Sequence, residues 1–249
     1  MKKGKQTHYG KFDSPVKDVV NELEKLIFAS CKNVSIDLDS LQRRIPFYKD
    51  SSKELKGFLE DLFKLMKMQF SAENDLHRKL LFALHYSVTN WNKFPPLEGE
   101  QWITLGFQST NPSHDFRGTG IPGILLPLIL FSRFPKVSKK IIQAAHSPER
   151  PFPMMLVLIV CVNCTFETIC ETDLIKNSDN RTFSWNIIIW FFVGLVDNVA
   201  TKWLNHNWKI TKDFKELDYI MKDAKENCFN VVNDILQIID KNDKMCLYC

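Results

Sequence analysis

An all-α fold, a single compact multi-helix bundle with one irregular glycine-rich loop, is the class this sequence predicts, on three observations. Apolar residues recur at helical spacing through several long windows, and serine and proline signals that start helices stand in front of them. Nowhere does a series of short alternating segments with hairpin dipeptides occur, as a sandwich or barrel would demand. No repeat of fixed period runs through the chain, which excludes a solenoid, and 249 residues lie within reach of one core.

The elements follow in order. Ser14-Pro15 offers an N-cap with proline at the first helical position, and Val16, Val19, Val20, Leu23, Leu26 and Ile27 then keep helical spacing. Residues 32–50 read as a long connection. Ser51 with Glu54 forms a capping box ahead of the stripe Leu55, Phe58, Leu59, Leu62, Phe63 and Met66. Leu76, Leu80, Leu81 and Leu84 continue the period until Phe94-Pro95-Pro96-Leu97-Glu98-Gly99, whose prolines lack the amide proton a helix interior needs. Two short apolar helices are expected over about 122–146, broken around Arg133-Phe134-Pro135, and a long one over about 153–171. Helices over 184–205 and 213–239 complete the set. Residues 1–13 read as a flexible tail, 14–240 as one helical domain and 241–249 as a C-terminal tail.

Composition narrows the function classes. The share of hydrophobic residues, 45%, is far from that of a disordered chain, and 33 basic against 29 acidic side chains leave a net charge of only +4. So weak a field favours no nucleic-acid partner. Lys2, Lys3 and Lys5 begin a solvated tail, and the polar residues after them do not form the apolar stretch of a secretory signal, so a cytoplasmic protein is expected. The run Met154 to Val162 is about half the roughly 20 residues a spanning helix needs, and Ile187 to Val193 leads into Asp197 and Asn198; both are expected in the core. Seven cysteines, an odd number and several of them in apolar stretches, do not suggest a disulfide framework.

The segment from Trp102 to Gly123 differs from the rest. It holds Gly106, Gly118, Gly120 and Gly123, four of nine glycines, which concentrates backbone freedom in one exposed loop between helices. From chemistry alone, Asp115 and Arg117 read either as a local ion pair or as parts of a functional loop. The order Trp102-x3-Gly106-Phe107-Gln108-x2-Asn111-Pro112-x2-Asp115-Phe116-Arg117-Gly118-x-Gly120-x2-Gly123 closely resembles the signature of the ELMO domain family. Leu76-His77-x2-Leu80-Leu81 upstream, Pro151-Phe152-Pro153, Val162-Asn163-x-Thr165, Trp203 and Phe214 extend the likeness over about residues 75–220. The chain departs from it at Ser109, Asn111 and His114, where family members commonly carry glycine, aspartate and threonine.

The resemblance implies a division of roles. Members that keep the arginine of Asp-Phe-Arg-Gly activate Arf and Arf-like GTPases, whereas members without it serve as regulatory partners of exchange factors. Arg117 occupies that position, which implies an arginine finger supplied in trans to a GTP-bound small GTPase. In that role Asp115 is expected to hold the guanidinium, the Gln108 side chain to order the loop by bonding the loop's backbone, and Trp102 and Phe107 to anchor the loop in the core. Gly106, Gly118 and Gly120 supply the loop's backbone freedom. No cofactor is implied, since magnesium and the water-orienting glutamine belong to the GTPase. The alternative is a non-catalytic ELMO-type scaffold that binds a small GTPase or an exchange factor.

Other constellations are weaker. Cys161-x2-Cys164 and Cys246-x2-Cys249 have zinc-like spacing, but the first pair lies in an apolar helix without turn residues, so zinc is not expected. No Gly-x4-Gly-Lys loop occurs, and His77 and His85 fall on a helix without a nucleophile elbow. Cys246-Leu247-Tyr248-Cys249 has the outline of a prenylation box after Lys241 and Lys244, a candidate for lipidation and weak peripheral attachment to a membrane.

Overall fold

The computed structural model describes residues 16–90, 95–147, 151–172, 175–176, 181–205, 219–224 and 226–227. Among them run α1 (Val16–Ser30), α2 (Leu38–Arg44), α3 (Lys53–Lys67), α4 (Asp75–Thr89), α5 (Glu100–Thr104), α6 (Pro122–Arg133), α7 (Pro135–Ala145), α8 (Met154–Glu171) and α9 (Arg181–Asn205), with no strand. Ser14, Pro15, Phe94, Phe214, Cys246 and both predicted tails lie outside the described residues. Of the helix expected over 213–239, residues 219–224 are helical and bury Ile220, Met221 and Ala224.

A helix apolar on every side can only sit in the middle of a bundle. α6 is that helix: each residue from Pro122 to Leu130 is buried, and α1, α4, α7, α8 and α9 all pack on it. Around this axis, polar ties join the outer helices. Arg133 at the end of α6 reaches Glu24 and donates to Asn21 Oδ1 (2.7 Å) on α1, and Trp185 of α9 donates its indole N–H to the same Glu24. Lys140 of α7 donates to Thr201 Oγ1 (2.9 Å) and pairs with Asp197 on α9. α8 and the 184–205 part of α9 are long and apolar enough to cross a bilayer by length and composition. In this fold they pack on α6, α7 and each other, with 67% and 56% of those stretches buried.

Two expectations are corrected. Residues 32–50 are not a bare connection, because α2 forms within them: the Asp37 carboxylate accepts from Asp39 N (3.0 Å), and Leu41 and Ile45, one turn apart, are both buried. Seven residues are too few to show a periodicity in the sequence. The cap of α3 is Ser52, one residue later than predicted. Its Oγ accepts from Leu55 N (3.2 Å), while Ser51 is buried and donates to Phe47 O (2.9 Å), so the pairing with Glu54 does not form. The stripe behind it is as read, except that Leu65 is buried and Met66 only half-buried.

The glycine-rich segment is stapled at two places by close backbone contact. Gly106 has φ of +92°, and a Cβ there would stand 2.3 Å from Met154 N and 2.6 Å from the Pro153 carbonyl carbon. This approach lets Leu105 O and Gly106 O accept from Met155 N (3.2 Å) and Leu156 N (3.1 Å), amides in the first turn of α8 that have no acceptor within the helix. Gly120, with φ of +60°, repeats the device at the end of α3: a Cβ would lie 2.4 Å from Met68 O, the carbonyl that accepts from Ile121 N (2.9 Å).

Between the two staples an arc of rings fills the core. Centroid separations are 5.4 Å for His85 and Trp102, 5.8 Å for Trp102 and Phe107, and 5.6 Å for Phe107 and Phe116. The arc then passes to Phe70 (5.7 Å) and returns to α4 at His77 (6.0 Å). Trp102 donates its indole N–H to Pro96 O (3.0 Å), and His77 Nδ1 accepts from Ser71 N (3.0 Å), which requires an unprotonated nitrogen there. Burial pushes the pKa of both His77 and His85 down.

Gly106→Ala and Gly120→Ala are each expected to lose more than about 2 kcal/mol of unfolding free energy in urea titrations, since backbone strain and collision add. Gly118→Ala, at a helical φ of −82°, is expected to stay within about 0.5 kcal/mol. Because the folded state disfavours protonated His77 and His85, the unfolded chain binds more protons as pH falls below the ordinary histidine value of about 6.5. Stability is therefore expected to be full above that pH and to decline below it. Thermal melts between pH 7.5 and 5 should show this decline, shallower in a His77→Gln, His85→Gln double variant.

Candidate functional site

Residues 108–118 project from the stapled segment as an exposed turn built on its own side chains. Asn111 opens a 3-10 helix, Pro112–Arg117: its Oδ1 accepts from Ser113 N (3.0 Å) and Ser113 Oγ (2.5 Å), and its Nδ2 donates to Glu98 Oε1 (2.8 Å). Ser109 Oγ donates to Asn111 O (2.9 Å), and Gly99 N donates to Thr110 O (2.9 Å). Two of the three positions at which the sequence departs from the family pattern thus carry the turn's hydrogen bonds. His114, the third, is exposed.

Side-chain directions along the 3-10 helix follow from its three residues per turn. Phe116 is fully buried on the ring arc and Pro112 is buried with it, so Arg117, the next residue, emerges on the solvent side. Arg117 is exposed and makes no hydrogen bond or ion pair among the described residues.

Asp115 does not hold it. The Asp115 carboxylate instead accepts from the backbone N–H of Gln108 (3.2 Å), closing the two ends of the turn. Residues 115 and 117 lie about 120° apart around such a helix and not on one face, so their side chains diverge. Partial burial raises the Asp115 pKa, and the Gln108 N–H and the neighbouring His114 pull it back toward ionisation. Gln108 does not order the loop through its side chain as expected: its amide stands exposed with no hydrogen bond among the described residues, and its backbone N–H is the group held by Asp115.

The remaining predicted residues fall into two groups. Trp102, Gly106 and Gly120 lie beneath the turn and seat it, the tryptophan fully buried. Gly118 stands beside Arg117 at the surface, where a Cβ would meet only Asn163 Nδ2, at an ordinary 3.7 Å. Asn163 belongs to α8, and its exposed amide makes no hydrogen bond among the described residues. It lies in the matched segment Val162-Asn163-x-Thr165, yet nothing local in the sequence joins it to the arginine turn. The Thr119 hydroxyl is buried against Gly123 without a hydrogen-bond partner among the described residues.

Among the described residues no group of three or more His, Cys, Asp or Glu side chains is arranged to hold a metal ion. Cys31, Cys161, Cys164 and Cys170 form no disulfide among the described residues, and Cys161 Sγ lies 3.9 Å from Met221 Sδ. Cys246 and Cys249 lie outside the described residues.

Comparison with known proteins gives the family. ELMO domain-containing protein 3 of Mus musculus is 22% identical over 181 residues, 71% of this chain and 48% of the mouse protein. ELMO domain-containing protein 2 of Bos taurus is 30% identical over 98 residues, 39% of this chain and 33% of its own. ELMO domain-containing protein 1 of Mus musculus is 23% identical over 94 residues, 38% and 29% of the two chains. The alignments thus span about half the length of the curated relatives, or less, and no solved structure matches. The model of the ELMO/CED-12 family matches residues 60–231, well over half of the sequence, and the chain belongs to that family.

Proposed function

We propose that this chain is a GTPase-activating protein for GTP-bound Arf and Arf-like small GTPases, to which it supplies Arg117 as an arginine finger in trans. The observation that carries the reading is the state of Arg117: an exposed guanidinium with no partner among the described residues, on a turn whose backbone is held at Gly106, Asn111, Asp115 and Gly120. Membership of the family supports it, since the family's activating branch is the one that keeps this arginine.

Phosphoryl transfer spreads charge over the oxygens around the γ-phosphate, and a guanidinium stabilises that charge through directional donors that stay protonated at any working pH. Fingers of this kind accelerate hydrolysis by about 10³ to 10⁵, roughly 4 to 7 kcal/mol of barrier. A turn already ordered in the free protein leaves only side-chain rotamers of Arg117 to be frozen on docking, which favours use of the binding energy at the reacting centre. Magnesium and the attacking water stay with the GTPase, so the chain activates hydrolysis without being a hydrolase. Its proposed place of action is cytoplasmic and peripheral, at the membrane that carries the GTPase, with Cys246 the candidate for a lipid.

Single-turnover hydrolysis of GTP by a panel of Arf and Arf-like proteins tests this. Saturating wild-type protein is expected to accelerate one or more of them by about 10³-fold or more, and Arg117→Ala to lose that acceleration while still binding the GTP-loaded partner. Arg117→Lys is expected to behave as Arg117→Ala, because an ammonium lacks the planar fork. A lysine variant as fast as wild type refutes the finger, and binding without acceleration by the wild type identifies a scaffold instead.

A further inference from the structure

On α8, an 18-residue helix otherwise buried or half-buried, the exposed residues are Asn163, Glu167 and Glu171, a single stripe at intervals of four. Its first member touches the arginine turn, since a Cβ on Gly118 would lie 3.7 Å from Asn163 Nδ2. Its far end, about 12 Å along the helix, forms one wall of a cleft of about 370 Å³ lined by Arg43, Arg44, Pro46, Glu167, Cys170 and Glu171. Arg43, Arg44, Glu167 and Glu171 are all exposed.

Glu167 and Glu171 form a like-charged pair one turn apart on a helix without Lys or Arg, and they crowd its C-terminal end, where the helix dipole disfavours anions. Across the cleft stand Arg43, which meets Asp37 at a solvent-exposed 3.8 Å, and Arg44, which is hydrogen-bonded to the Cys170 thiol. Neither Arg44 nor Glu171 forms an ion pair among the described residues.

We infer that the stripe Asn163-Glu167-Glu171 and the mixed-charge cleft it enters are the second half of the surface that docks the small GTPase. The inference rests on the reading of Arg117 as the residue that enters the GTPase. A partner that receives Arg117 covers roughly 800 Å² of this chain, a patch about 30 Å across, so a cleft whose α8 wall runs from about 6 Å to about 12 Å beyond Asn163 falls inside its footprint. The walls select the contact. Two carboxylates on α8 and two guanidiniums on α2 suit partner side chains of both signs, whereas an apolar anchor would desolvate these charges without offering any of them a polar contact. The division of labour is then spatial, with Arg117 acting on the bound nucleotide and the cleft fixing which GTPase docks and in what orientation.

The test measures binding separately from hydrolysis. Full-length Arg117→Ala protein is titrated with Arf and Arf-like GTPases loaded with a non-hydrolysable GTP analogue, alone and with Arg44→Glu or Glu171→Lys added. Thermal melts check that each variant is folded, and Lys139→Glu on α7 serves as a control for charge reversal in general. Each cleft variant is expected to bind about tenfold or more weakly, the control unchanged, and the parent's affinity to fall as salt rises. Cleft variants that bind within twofold of the parent overturn the inference even if the wild type accelerates hydrolysis. Binding that depends on the cleft, with no acceleration by the wild type, upholds the docking surface and removes the activating role. A parent that binds none of the panel overturns the inference, since it names this class of partner.

Discussion

The structure around the candidate site depends on the contact between the backbone of Gly106 and the first turn of α8. A helix start leaves amides without acceptors, and here the carbonyls of Leu105 and Gly106 meet two of them. The geometry needs a chain passing so close to Pro153 and Met154 that no side chain fits and φ is positive, two demands that glycine alone meets without strain. Gly120 repeats the arrangement against Met68 at the end of α3. Two helices distant in sequence therefore act as the posts between which the arginine turn is strung.

Rigidity below and freedom above come from one alternation. Trp102, Phe107, Phe116 and Phe70 form a continuous ring contact into the core, and Arg117 follows directly after the fully buried Phe116. A 3-10 turn with its phenylalanine sunk in the core has no other direction for the next side chain than outward. The role proposed for Arg117 is favoured by this, because an internal ion pair would have to be broken before the guanidinium could act elsewhere. The diversion of the Asp115 carboxylate to Gln108 N preserves that freedom while closing the turn.

Ser109 and Asn111 show how a family pattern can change at the level of residues while a turn remains ordered. Asparagine supplies both an acceptor for Ser113 and a donor for Glu98, two bonds of opposite polarity from one side chain, and Ser109 supplies a hydroxyl for the Asn111 backbone. An aspartate at position 111 would offer Glu98 no donor, so the contact with Glu98 depends on the amide found here.

Much of this protein was determined by the sequence alone, for reasons that act over short range. Apolar spacing marks α1, α3, α4, α8 and α9, prolines set the break after α4 and the split between α6 and α7, and the spacing of residues around Arg117 marks both the loop and the family. α2 escaped, since seven residues show no period and its formation follows from burying Leu41 and Ile45. The cap of α3 escaped by one residue because adjacent serines are equivalent in sequence, and only the contact of Ser51 with Phe47 O separates them. Only tertiary structure decided that Gly106 and Gly120 are required while Gly118 is not, that Asp115 turns from Arg117 to Gln108, and that Asn163 stands beside the turn. These are relations between segments many residues apart, or between directions around one turn, and local propensity carries no record of either.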